Sequence, residues 1–217
     1  KGEIFGLCGL SDSGIREVGQ AAYGLLPVDS GEVALPTHNV SIGNPYQALQ
    51  NRVAYVPKDR DGEALMMGAS IQNNFCLPSV ETLKGRFGFL SPKKLYQASS
   101  EAREQFSVKS TGVDQLMRAL SGGNKQKVNL GRWLIKDLDV LIVDCPTRGV
   151  DIGVKAYIYQ CLREAKEKGM AILLITDELS EVLGMADTIA VMKDGEICKL
   201  LPRSAELSEE TIIEVMT

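Results

Sequence analysis

LSGGNKQKV, Leu120 to Val128, is followed after one helix length by VLIVDCPTRGVD, Val140 to Asp151. Ser121, Gly122 and Gly123 lack bulk, so backbone amides opening a helix that runs on through Asn124, Val128 and Leu134 can approach an anion closely, and the helix dipole adds to the attraction. Val140 to Val143 is an apolar run too short for a helix and flanked by polar residues, which reads as a buried central strand ending in Asp144. A carboxylate at the carboxyl end of a parallel strand is where an α/β fold places a Mg²⁺ ligand. A Ser-Gly-Gly helix cap is commonplace by itself, as is a core strand ending in a turn aspartate. Both in this order point to a nucleotide phosphate.

The pair resembles the signature motif and Walker B strand of ABC ATP-binding domains, and PTRGVD is similar to the importers of simple sugars of the ribose and galactose type. The resemblance covers nearly the whole chain. KGEIFGLCGLSDSG resembles the strand and loop of a Walker A, NRVAYVPKDRDGEAL the segment around the Q-loop, and ITDELSEVLGMADTIAVMKDGEI the switch region and last hairpin. It implies an α/β P-loop NTPase fold of the ABC type, with a mixed core sheet and one domain over residues 1–217. A helical subdomain is expected at about 62–118, its face meeting a permease. Importers of this kind carry two ATP-binding halves in one polypeptide, and the wording here is closer to the second.

The nucleotide-binding positions implied by the resemblance are Gly9, Ser11, Ser13, Gly14, Ile15, Arg16 and Asp144, with Asp144 the one metal ligand. Several of the family's functional positions are altered. Gly9 and Gly14 are spaced correctly, but Ile15 stands where the phosphate lysine belongs and Arg16 where a Ser or Thr hydroxyl would hold Mg²⁺. The family's glutamine maps onto Lys58, its catalytic glutamate onto Cys145 and its switch histidine onto Asp177. A guanidinium in a metal ligand's place repels Mg²⁺, a thiol is a poor substitute for a water-orienting carboxylate, and a carboxylate beside a γ-phosphate is repulsive. ATP and Mg²⁺ are therefore expected to be weak or absent at this chain's own site.

The signature, Leu120, Ser121, Gly122, Gly123, Asn124 and Gln126, is intact, and Asp151 falls at the D-loop position that helps join two halves. In ABC dimers the signature of one half closes over nucleotide held by the other's Walker A. A half with a degenerate P-loop can thus complete its partner's site. The resemblance implies as partners a second ATP-binding half, a transmembrane permease and, indirectly, an extracytoplasmic sugar-binding protein, at the cytoplasmic face of the cell membrane. Two alternatives stand beside this: an autonomous ATPase using Asp144 with Arg16 or Lys58, and an ABC-like scaffold or regulator that never meets a transporter.

Composition is compatible and limiting. The 217 residues, 44% of them hydrophobic, suffice for one domain with a substantial core. A net charge of −4 with scattered Lys and Arg argues against nucleic acid. No apolar run approaches bilayer length and no signal peptide is evident, and without an initiating Met the chain reads as an excised domain. The five cysteines have no paired metal-type spacing and are expected as reduced thiols. The single histidine, His38, is expected at the surface, and Arg60 against a permease or in solvent.

Periodicity places the elements. Strands are predicted at Ile4 to Leu7, in SGEVAL from Ser30 and around Val40, and at Val53 to Val56, Ala171 to Ile175 and Thr188 to Met192. Helices are predicted at Ile15 to Leu26, after Asn44 and Pro45, at Ile71 to Phe75, Lys93 to Phe106 and Val154 to Lys168, and after Ser208.

Overall fold

The computed structural model describes residues 1–204 and 206–216. In chain order its strands are β1 (Ile4–Gly9), β2 (Ala34–Leu35), β3 (Val40–Ser41), β4 (Val53–Val56), β5 (Val140–Asp144), β6 (Ala171–Thr176), β7 (Thr188–Lys193) and β8 (Glu196–Pro202). Its α-helices are α1 (Ile15–Ala22), α2 (Pro45–Gln50), α3 (Ile71–Cys76), α4 (Val80–Leu83), α5 (Pro92–Gln105), α6 (Gly122–Leu134), α7 (Ile152–Glu167), α8 (Leu179–Met185) and α9 (Glu209–Met216). The chain divides into two compact units. One comprises residues 1–58, 138–146 and 159–217, the other 59–137 and 147–158.

The first unit holds a six-stranded mixed sheet in the order β4-β5-β6-β1-β7-β8, parallel from β4 to β7, with β8 antiparallel to β7. Burial explains the near-continuous apolar wording of β5 and β6, because parallel strands covered on both faces show no polar alternation. Registering Ile4 with Ile172 and Phe5 with Thr188 puts β1 in the middle of the sheet, so the loop after Gly9 emerges at the carboxyl edge, on the side where β5 also ends. That is the edge where α/β sheets build ligand sites. Asp194 and Gly195, both with positive φ (49° and 82°), make the tight turn between β7 and β8.

Helix capping agrees with the sequence reading. Asn44 Oδ1 accepts the Gln47 amide at 2.9 Å ahead of Pro45, and Ser208 Oγ accepts the Thr211 amide at 3.4 Å. Gly169, at φ +94°, lies just beyond the end of α7. One boundary is corrected: α1 ends at Ala22, not Leu26. Gly24 turns left-handed at φ +81°, the Leu25 amide bonds back to the Gln20 carbonyl, and a Cβ on Gly24 would lie 2.6 Å from Asn44 Cα. The apolar Tyr23, Leu25 and Leu26 extend the helical pattern in sequence past a glycine stop.

In the second unit α3, α5 and α6 pack around Phe75 and Phe106, whose rings stack at 6.4 Å between centroids. Gly131 is what lets Phe106 lie on α6, since a Cβ there would be 2.7 Å from the ring. Trp133 is buried, as are Met170, Met185 and Met192 of the first unit, which serve as core residues. Among the described residues no helix is long and apolar enough to cross a membrane.

Candidate functional site

The loop from Leu10 to Gly14 is tightly closed. Gly9 has no room for a side chain, since a Cβ would meet Ser13 Oγ at 2.2 Å and the Met192 carbonyl at 2.6 Å. Ser13 is buried and its hydroxyl donates to the Leu10 carbonyl at 2.6 Å, closing the loop on itself. Ser11 is exposed. Gly14 adopts φ +88° and begins α1 without a side-chain cap, so the first amides of α1 are available to an anion.

Beyond Gly14 the next two side chains are engaged within the protein. Ile15 is 5% exposed and packs with Leu7, Tyr55, Ile142 and Ile175 in the core. A side chain chosen for that pocket reaches inward, leaving the loop without a lysine. Arg16 turns its Nε to within 3.5 Å of Asp144 Oδ2, and the Tyr55 hydroxyl donates to the same oxygen at 3.3 Å. Burial pushes the Asp144 carboxyl up, an effect offset in part by the Cys145 thiol and by Arg16 and Lys58. Around a Mg²⁺ ligand the family would have a hydroxyl; here a guanidinium is already the counter-ion. Asp144 is thus satisfied within the protein, by Arg16 and by the Tyr55 hydroxyl.

The other altered positions meet nearby in the same unit. Lys58 Nζ lies 3.0 Å from Asp177 Oδ2, and the Cys145 thiol points at Asp177 Oδ1 from 3.8 Å. Burial first, then Asp144 and Asp177, push the Cys145 thiol up to about 12. At neutral pH it is a protonated, inert group, where a general base would need a pKa near the operating pH. Arg16 with Asp144 and Lys58 with Asp177 thus neutralise each other's charges within the first unit.

The signature lies in the second unit. Ser121 is exposed at the N-cap of α6, with φ −66° and ψ 157°, and its hydroxyl accepts from Asn124 Nδ2 at 3.0 Å. Asn124 Oδ1 accepts the Lys109 amide at 2.9 Å, tying the helix start to the preceding loop. Gly123 is compulsory, since a Cβ would come within 2.7 Å of Val154 Cγ2. Leu120 and Gln126 are buried, which makes them supports of the helix start and leaves the outward surface to Ser121 and Gly122. Asp151, exposed, caps α7 by accepting the Val154 amide at 3.0 Å.

Two outlying residues have partners within the chain. Arg60 is bound within the second unit, donating from Nη1 to the Arg148 carbonyl at 2.9 Å, with a side chain 20% exposed. His38 is half-buried and its Nε2 lies 2.7 Å from Asp139 Oδ2, a carboxylate that this contact, with Lys1 and Arg52, holds below the usual range. The Tyr55 hydroxyl beside Asp144 is an addition that strand periodicity alone does not mark.

The family model described as ABC transporter matches residues 1–148. The ribose import ATP-binding protein RbsA of Bacillus cereus is 36% identical over the whole of this chain, which covers 44% of that protein. A putative ribose/galactose/methyl galactoside import ATP-binding protein 3 of Agrobacterium fabrum is 39% identical over the whole chain and 43% of its own length. The chain therefore spans less than half of these relatives. In fold it is similar to a nucleotide-free ATP-binding cassette from an ABC transporter, with a TM-score of 0.81 at 21% identity, covering 100% of this chain and 88% of the other. A dimeric cassette in a post-hydrolysis state with ADP and phosphate gives a TM-score of 0.80 at 20% identity, covering 94% and 87%.

Proposed function

The chain belongs to the ABC transporter family, and we propose that within it these residues are the degenerate ATP-binding half of a simple-sugar importer, acting through the signature at Ser121 to Gly123 on ATP held by a partner half. The observation that carries this reading is the contrast between two sites of one chain. Asp144 is paired to Arg16 where a metal would sit, while the signature helix start is properly formed and exposed at Ser121. Residues 1–217 then form a single ABC domain with its helical subdomain at about 62–118. Its partners are a second ATP-binding half and a permease, and through the permease an extracytoplasmic sugar-binding protein. The domain works at the cytoplasmic face of the cell membrane.

The division of labour follows from charge. Amides at the start of α6 are fixed donors, so they stabilise a phosphate delivered to them without reorganising, the property that makes preorganised dipoles effective. Gly122 lacks a side chain that would hold a phosphate away. The Leu10 to Gly14 loop keeps its amide cradle but has lost the lysine, and a charge-assisted hydrogen bond contributes roughly 1.5 to 3 kcal/mol. Its nucleotide affinity should then fall about ten- to a hundredfold below that of an intact site.

Titration calorimetry of the domain with ATP and Mg²⁺ checks this. The expected dissociation constant is no tighter than about 0.1 mM, taking a micromolar intact site as reference. Low-micromolar affinity that depends on Mg²⁺ would show that Arg16 or Lys58 replaces the missing groups, and the degenerate reading would fail.

A further inference from the structure

The segment just after Lys58 forms a turn of an uncommon kind. Residues Arg60–Ala64 close a π-helical turn, with the Leu65 amide on the Arg60 carbonyl at 2.8 Å and the Gly62 amide on Asp59 Oδ1 at 3.0 Å. Single π-turns recur at functional sites because they aim side chains in directions an α-turn does not reach. Two cations of α6 hold this turn from one side. Lys125 Nζ lies 2.8 Å from Asp61 Oδ2, and Arg132 Nη1 donates to the Ala64 carbonyl at 2.7 Å. Seven residues apart, they share a helix face.

Clamped this way, the turn sends the Arg60 guanidinium over the first turn of α6. Nη1 donates to the Arg148 carbonyl at 2.9 Å, in the loop that leads to Asp151. Nη2 fills the space beside the signature glycine: a Cβ on Gly122 would lie 3.0 Å from it, and one on Gly149 3.8 Å. Gly149 also requires its positive φ of 67°. The missing side chain at Gly122 thus leaves room for one planar guanidinium, which lies beside the helix start with one arm while binding the loop carbonyl with another. A lysine has no such fork.

We propose that Arg60 is a positioning residue of the signature half-site, fixing the start of α6 against the Arg148–Asp151 loop so that the Ser121 and Gly122 amides keep the direction needed to meet a partner's phosphate. This rests on the reading of the signature as the working part of the chain. Arg60 acts through those amides and touches no nucleotide itself, so its loss changes the rate of the closed state and leaves the ATP affinity set by the partner's own P-loop.

The test uses the assembled importer, with both ATP-binding halves and the permease in lipid nanodiscs, and reads ATP turnover against ATP concentration. Arg60→Ala is expected to lower the maximal turnover about tenfold or more, the loss of one charged hydrogen bond carried into the rate, with the half-saturating ATP concentration within about threefold of wild type. Arg60→Lys keeps length and charge without the fork and is expected to recover only a minor part; it decides the matter if the alanine variant fails to assemble. Ser121→Arg is run alongside. Full turnover in Arg60→Lys, or a change confined to half-saturation, overturns the role of Arg60. If Ser121→Arg itself turns over normally, the reading of the signature fails, an outcome distinct from normal turnover in the Arg60 variants beside a dead Ser121→Arg.

Discussion

Replacing Ser121 by Arg should reduce sugar-stimulated ATP turnover and uptake by the assembled importer about a hundredfold or more. Ser121 is exposed at the N-cap of α6, and its hydroxyl is held by Asn124 Nδ2 at 3.0 Å. A long cationic side chain at that point covers the helix start that we assign to the partner's phosphate. Removing one preorganised oxyanion donor typically costs about 10² to 10³ in rate, and here several amides are screened at once. A bulky residue at Gly122 should have a similar effect by a second route, because even a Cβ there would crowd the Arg60 guanidinium at 3.0 Å. The measurement is phosphate release and labelled-sugar uptake in proteoliposomes. Turnover within a few fold of wild type would remove the signature from the mechanism.

The purified domain, tested alone with Mg²⁺-ATP, should release phosphate no faster than background. Phosphoryl transfer requires a lysine on the β/γ-phosphates, a metal bridging them and a group that orients the attacking water. Ile15 is packed into the core, the Arg16 guanidinium already accompanies Asp144, and the Cys145 thiol, held at about 12, keeps its proton. On the proposed reading each of the three requirements fails for its own structural reason. A Ser121→Arg preparation controls for contaminating ATPase. Turnover of about one per second that disappears in Asp144→Asn would establish an autonomous enzyme and end the asymmetric reading.

The parts of the fold and site open to sequence reading were those where chemistry leaves few choices. Phosphate-seeking loops need glycines at fixed intervals, so Gly9, Gly14, Gly122 and Gly123 stand out, and each proves sterically constrained or conformationally special in the structure. The uniformly apolar β5 and β6 announce a covered parallel sheet. Ile15 and Cys145 are legible because they occupy positions counted from those anchors. The end of α1 was obscured by Tyr23, Leu25 and Leu26, whose spacing continues a helical stripe through Gly24. Weighting Gly24 as a C-terminal stop would have found it. The direction of Arg60 was not legible at all. It depends on a π-turn fixed by Asp59 and on Lys125 and Arg132, more than sixty residues further along, and local periodicity carries no trace of contacts so distant in sequence. The pairing of Lys58 with Asp177, 119 residues apart, was hidden for the same reason.

The most direct test of function lodged in the signature and absent from the P-loop is the turnover of the assembled importer carrying Cys145→Ala in this half. On the proposed reading Cys145 occupies the position from which a carboxylate would orient water, and its Sγ lies 3.8 Å from Asp177 Oδ1 within the same unit. If this half's own site performs no chemistry, removing the thiol should leave sugar-driven ATP hydrolysis within about twofold of wild type, the range expected of a small change that touches no transition state. Loss of transport in Cys145→Ala, in a complex that assembles normally and tolerates Ser121→Arg, would contradict it.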